Sequence, residues 1–138
     1  MLDAGRRTAA GGVMESILVV DDEKSIRVTI AEFLRDRRYQ VHLAEDALVA
    51  LEILKKHPVD LVITDNMMPE MRGTDLLEVI RNEYPEIKTI LITGQASLEN
   101  ATESLRGGAF DYLEKPVLKH TLLSVIENAF RVITLDRL

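Results

Sequence analysis

The chain of 138 residues contains no cysteine. Disulfide cross-links, thiolate nucleophiles and sulfur-ligated metal sites are therefore excluded. No apolar run approaches the roughly 20 residues that cross a bilayer as a helix. The opening stretch, 1–13 (MLDAGRRTAAGGV), carries Arg6 and Arg7 without an apolar core, so it does not read as a secretory signal. Positive charge is also in short supply: 17 Lys and Arg stand against 23 Asp and Glu, a formal net charge of −6. Proteins that neutralise phosphates along a duplex need the opposite balance, so direct nucleic-acid binding is not expected. Nor is membrane binding. Together these absences point to a cytoplasmic globular protein, with no internal repeat and no low-complexity segment beyond the opening stretch.

What remains is ordinary for one domain, with 46% hydrophobic and 29% charged residues. Residues 1–14 read as a flexible leader or an expression remnant, with Met14 a plausible start. Around Val59-Asp60-Leu61-Val62-Ile63-Thr64-Asp65, a continuous apolar run predicts a strand buried on both faces, as in a parallel sheet. Pro69 prevents its simple continuation. Similar runs lie at Ser16–Val20 and Lys88–Gly94, with shorter strands at Tyr39–Ala44 and Phe110–Leu113. Helical stripes fall between them: Ile26, Ile30, Phe33, Leu34 and Arg37; Ala47, Leu48, Ala50, Leu51 and Leu54; Leu76, Leu77 and Ile80 after Gly73. A weak helix capped by Ser97 has only Leu98, Ala101 and Leu105 as anchors and ends on Gly107-Gly108. The last helix starts near Leu118 and turns Leu122, Ile126, Ala129, Phe130 and Ile133 inward. Five strand–helix alternations with short connections predict a doubly wound α/β fold with a parallel sheet covered on both faces.

Parallel strands deliver their last residues to one edge, where open α/β sheets bind ligands. Collected there are Asp21 and Asp22 after the first strand, Asp65 at the end of the third, Thr93 ending the fourth and Lys115 just after the fifth. Three close carboxylates repel one another unless charge is supplied, and paired carboxylates with carbonyls and waters suit Mg²⁺. Lys115 offers a compact positive charge and Thr93 a hydroxyl donor. Asp65 is then the candidate nucleophile for phosphoryl transfer, needing no general base because a carboxylate is already ionised at neutral pH. Taken singly, each residue has a bland role: helix cap, turn residue or solvated lysine. The joint pattern at successive strand ends favours the site.

The stretches ILVVDDE, LVITDNMMPEMRG, ILITG and DYLEKP resemble the receiver domain of bacterial two-component response regulators. The resemblance covers residues 15–130. It implies a flavodoxin-like five-stranded sheet of order 2-1-3-4-5 with five helices. It implies, too, that Asp65 accepts a phosphoryl group from the phosphohistidine of a sensor histidine kinase. Asp22 would bind Mg²⁺ (or Mn²⁺) directly, Asp21 largely through water, and Met67 through its backbone carbonyl. Thr93 and Tyr112 would be switch residues, Met67 and Gln95 would tune the phosphorylated lifetime, and the Lys115–Pro116 bond would be cis. The face made by the fourth helix, fifth strand and last helix would carry the signal to a second copy, a partner or an output domain. Such a domain would be a signalling phosphoacceptor that assists its own phosphorylation and slow dephosphorylation, not an enzyme acting on outside substrates. Residues 131–138 would end the last helix and lead to an output domain beyond the chain. The stretch GQASLENATESLRGGAFDYLEKP is similar to receivers attached to ATPase-driven transcription activators.

Two rivals share features. A flavin-binding flavodoxin needs a hydroxyl- and glycine-rich phosphate loop where this chain has Asp21-Asp22-Glu23. An aspartyl phosphatase wants Asp-x-Asp there. His42, His57 and His120 show no ligand spacing and are expected at surface or boundary positions without chemistry.

Overall fold

The computed structural model describes residues 14–138, so the reading of residues 1–13 as a leader lies outside the described residues. Five strands and five helices alternate: β1 (Ser16–Val20), α1 (Lys24–Arg35), β2 (Gln40–Ala44), α2 (Ala47–Lys56), β3 (Leu61–Asp65), α3 (Gly73–Glu83), β4 (Lys88–Thr93), α4 (Leu98–Arg106), β5 (Asp111–Glu114) and α5 (Lys119–Asp136). All neighbouring strands pair in parallel, in the order β2-β1-β3-β4-β5. This is the doubly wound arrangement expected from the alternation, in the flavodoxin-like strand order that the resemblance implied.

The central strands explain the continuous apolar runs. Ile17, Val19, Ile63, Ile90 and Ile92 point into one core with α1 and α5, while Leu18, Val20 and Val62 pack against α2 and α3. Each strand alternates its side chains between two covered faces, so both parities must be apolar. On α5, Leu122, Ile126, Ala129, Phe130 and Ile133 are buried as predicted.

Several expected positions differ. Helix α1 ends at Arg35, so Arg37 lies outside it, exposed, in a turn where Arg38 adopts φ +64°. Leu48 is 54% exposed, because Ala47, Ala50 and Leu54 define the inner face of α2 and Leu48 lies one residue round from it. On α4, Leu98 is 86% and Leu105 50% exposed. Two of the three expected anchors of that helix thus face outward, Ala101 is half-buried, and Ser104 is its one buried residue among those described. The cap of α1 is Glu23, not Asp21 or Asp22, and no side chain caps it. The third strand begins two residues after Val59, and the second and fifth are each shifted by one residue at their starts.

Candidate functional site

At the carboxyl edge of the sheet, β1 and β3 run side by side and stop at Val20 and Asp65, which brings the Asp21-Asp22 pair next to Asp65. One carboxylate oxygen from each of Asp21, Asp22 and Asp65 lies within 4.8 Å of the others. Asp21 is fully buried and Asp65 only 3% exposed, while Asp22 faces solvent. From the loop after β5, Lys115 places Nζ 3.0 Å from Asp21 Oδ2 and 3.3 Å from Asp65 Oδ2, with Glu23 Oε1 at 3.7 Å. The Lys115–Pro116 peptide is cis, as the resemblance implied.

Burial pushes the Asp65 carboxyl above the usual Asp range. The Met67 N–H and Lys115 pull it down, and the neighbouring Asp21 adds to the rise. For Lys115, burial opposes the charge, yet hydrogen bonding and attraction to Asp21 and Asp65 outweigh it and raise the ammonium's pKa. One ammonium thus faces three carboxylates, and the pocket carries uncompensated negative charge. Asp21 Oδ2 is buried, and its close neighbour is the Lys115 ammonium. An oxygen-rich pocket with spare negative charge and an open side at Asp22 fits a hard divalent cation.

Local sequence explains how the carboxylates are aimed. Asp21 Oδ1 accepts the Glu23 N–H at 2.9 Å, and the Arg27 guanidinium donates to the Asp21 carbonyl at 2.7 Å. After β3, the Met67 N–H donates to Asp65 Oδ1 at 3.2 Å. Asn66, buried, ties the loop back on itself: its N–H donates to the Ile92 carbonyl, its carbonyl accepts from Gly73 N–H, and its Oδ1 accepts from Thr74 N–H. Gly73 is needed because a Cβ there would sit 2.6 Å from the Asp65 carbonyl oxygen. Glu70 turns the loop with φ +69°, a conformation that costs a non-glycine residue roughly 1–2 kcal/mol. Glu23, Arg27 and Asn66 were missed as site supports, since backbone ties leave no periodic signal.

Thr93 ends β4 in a buried position, and its Oγ1 accepts the Gln95 N–H at 3.1 Å, which leaves the hydroxyl proton to donate. Gln95 is exposed, and its carbonyl accepts from Asn100 Nδ2 at 3.1 Å at the entrance to α4. Tyr112 pairs with Leu91 across β4 and β5, so it shares a sheet face with Thr93 two residues on. Its hydroxyl is buried without a hydrogen-bond partner, and burial pushes its pKa up. Met67, whose N–H holds Asp65, is 46% exposed. Asp21, Asp22, Asp65 and Lys115 therefore converge; Met67 joins them through its N–H to Asp65, Thr93 ends the strand next to β3, and Gln95 and Tyr112 connect to Thr93's loop and strand.

A family model described as the response regulator receiver domain matches residues 17–127. The chain belongs to that family. An NtrX-like response regulator of Rickettsia bellii is 38% identical over 123 residues, which are 88% of this chain and 26% of that protein. Among solved structures, a CheY-like receiver from Methanospirillum hungatei superposes with a TM-score of 0.85 at 34% identity, covering 89% of this chain and 98% of that one. The beryllofluoride-activated NtrC4 receiver domain dimer gives 0.83 at 30% identity, over 87% and 99%. This receiver spans about a quarter of the length of the curated relatives it matches. Those relatives include the PilR and FleR response regulators of Pseudomonas aeruginosa and the transcriptional regulatory protein ZraR of Klebsiella oxytoca. No helix among its described residues is long and apolar enough to cross a membrane.

Proposed function

We propose that this receiver is a phosphorylation-dependent switch in which Asp65 takes a phosphoryl group from the phosphohistidine of a sensor histidine kinase. The observation that carries the reading is the ion pair between Lys115 and both Asp21 and Asp65, at 3.0 and 3.3 Å, in a buried three-carboxylate pocket. An Asp65 oxygen attacks phosphorus, forming the O–P bond as the P–N bond breaks and its electron pair leaves with the donor imidazole. No base is required for this step. Lys115 follows the charge, pairing with a phosphoryl oxygen as it leaves Asp65 Oδ2. The Thr93 hydroxyl donates to a second phosphoryl oxygen.

Asp21, Asp22 and Asp65, with the Met67 carbonyl, are the groups that would hold Mg²⁺, and Mn²⁺ could replace it. When bound, the ion neutralises charge on the phosphoryl oxygens and fixes their orientation. The domain is a phosphoacceptor that aids its own phosphorylation and slow dephosphorylation, with Met67 and Gln95 beside the path of hydrolytic water.

The signal leaves through Thr93 and Tyr112 to the face of α4, β5 and α5. Support for this comes from α4 itself, whose apolar side chains Leu98 and Leu105 face outward and whose inner side holds little. A weakly anchored helix shifts at small energetic cost. The face would serve a second copy of this chain or an output domain; the beryllofluoride-activated NtrC4 receiver domain, a structural neighbour, is a dimer. A cytoplasmic location goes with this role.

The test is intact mass after incubation with acetyl phosphate, with and without Mg²⁺. Gain of one phosphoryl group only with the cation, and none in Asp65→Asn, is expected. Equal uptake by Asp65→Asn would refute the assignment.

A further inference from the structure

Thr93 is held twice. Its carbonyl accepts the Lys115 N–H at 2.8 Å, which fixes its backbone against the loop that carries the ammonium, and its Oγ1 accepts the Gln95 N–H at 3.1 Å. The side chain is the part left to turn. Gln95 is also pinned from its other end, where its carbonyl accepts from Asn100 Nδ2 at 3.1 Å. Asn100 sits in the first turn of α4, and its own N–H donates to the Ser97 hydroxyl at 3.0 Å. The Asn100 carbonyl accepts from the Ser104 hydroxyl at 2.8 Å, and the Ser104 carbonyl accepts the Ala109 N–H at 3.1 Å, just before β5. Hydrogen bonds thus link the Thr93 hydroxyl through Gln95 and Asn100 to Ser104, the one buried residue described in α4, and on to the entry of β5.

On the reading that Asp65 takes a phosphoryl group, we propose that Asn100 is the coupling residue that ties α4 to the Thr93 hydroxyl. Thr93 Oγ1 has two places to go, the Gln95 N–H and a phosphoryl oxygen. Turning to the second removes one of the two ties on Gln95. The Gln95 carbonyl then moves with its loop and takes the first turn of α4 with it through Asn100 Nδ2. Ser104 passes the shift along the buried side of the helix to Ala109. Apolar packing gives α4 little other connection to the site, since Leu98 and Leu105 face outward. Coupling needs an element with two arrangements that the site can bias, and a weakly anchored helix supplies one. An amide bonded to a loop carbonyl at a helix start also serves as a plain capping contact. What sets Asn100 apart is that the residue it holds is the one the Thr93 hydroxyl holds. Gln95 enters through backbone atoms alone, so between Thr93 and α4 the Asn100 amide is the side chain that a substitution can cut.

The experiment pairs intact mass with hydrogen-exchange mass spectrometry of residues 96–109, on the full chain before and after acetyl phosphate with Mg²⁺. Asn100→Ala removes the donor to Gln95 and leaves the backbone N–H on Ser97. Asn100→Asp keeps the side chain's size while removing the same donor, so the test stands even if alanine alters the helix. Thr102→Ala is the control: it removes a hydroxyl bond to the Leu98 carbonyl at 2.7 Å, on the same helix but outside the chain of contacts. In the parent, phosphate uptake should change α4 exchange at least about fivefold, the low end of coupling between sites. Both Asn100 variants should take up phosphate as fully, with that change cut to below about twofold, and Thr102→Ala should match the parent. An α4 response equal to the parent's in either Asn100 variant, or lost as well in Thr102→Ala, would overturn the proposal and leave Asp65 its role. So would a parent that takes phosphate without any response in α4, or Asn100 variants that take none. No uptake by the parent strikes the Asp65 reading itself, and the coupling falls with it.

Discussion

Replacing Gly73 by alanine sets two effects of similar size against each other. Helix propensity favours alanine over glycine by about 1 kcal/mol inside a helix, and Gly73 is the first residue of α3. Against this, the added Cβ would lie 2.6 Å from the Asp65 carbonyl oxygen, 2.8 Å from Asn66 Cα and 3.0 Å from Leu91 Cδ2. Two of these neighbours are backbone atoms of the loop that carries the phosphoacceptor, so neither can swing aside as a side chain would. Overpacking of this kind costs about 1–3 kcal/mol, and the Gly73 N–H to Asn66 carbonyl bond is strained with it. Sterics win, and the variant should lose about 1–2 kcal/mol, or about 3–8 °C in Tm. Relief by moving α3 outward shifts Asp65 away from Lys115, and misplacement on the order of 1 Å slows positioned chemistry by about 100-fold. The assay pairs thermal melting with the rate of phosphoryl uptake from acetyl phosphate. Gly94→Ala is the stability control, since a Cβ there meets nothing within 4 Å. A Gly73→Ala protein as stable as the parent, with the same uptake rate, would refute the steric reasoning.

Other outcomes follow from the same geometry. Asp65 has a raised folded-state pKa, so the folded chain binds more protons than the unfolded one between the two pKa values, and stability falls as pH rises through that window. Asp65→Asn removes this cost: it should melt above the parent at pH 7 without divalent cation and lose its advantage as pH falls below the ordinary Asp value, read by melts across pH. Mg²⁺ should narrow the gap at neutral pH by stabilising the parent, by about 2.7 kcal/mol at one hundred times its Kd. Met67→Asn puts a polar side chain where a half-exposed thioether stands, and should speed loss of phosphate about five- to tenfold, a barrier change of about 1–1.4 kcal/mol, measured by phosphate release. Arg137→Ala removes one partner of buried Asp60, whose other oxygen accepts the Ser16 N–H at 2.8 Å; the half-exposed arginine limits the loss to about 1–2 kcal/mol in denaturant melts.

The parallel sheet and the primary site were legible because both rest on continuous local signals. Ile17 to Val20, Leu61 to Ile63 and Ile90 to Ile92 are apolar on both parities, and in a parallel sheet the residue ending each run must reach the same edge. Side chains whose role depends on which way a helix turns were less legible. Leu48, Leu98 and Leu105 fit an apolar stripe, yet all three face outward, since one residue of phase separates inside from outside on a short helix. Arg27, Asn66 and Glu23 act through backbone atoms or a single long contact, which composition does not mark. Contacts across large sequence distance were invisible: Asp60 with Arg137 is 77 residues apart, and the His42–His57 stack joins a strand centre to a helix end.

The central claim is that one carboxylate in the acidic pocket takes the phosphoryl group, and borohydride reduction followed by peptide sequencing by mass spectrometry tests it most directly. Reduction converts an acyl phosphate of aspartate to homoserine. Homoserine at position 65 alone, formed only when acetyl phosphate and Mg²⁺ are both present, is the predicted result. Homoserine at Asp21 or Asp22, or none at position 65 in a protein that has gained phosphate, would contradict the account.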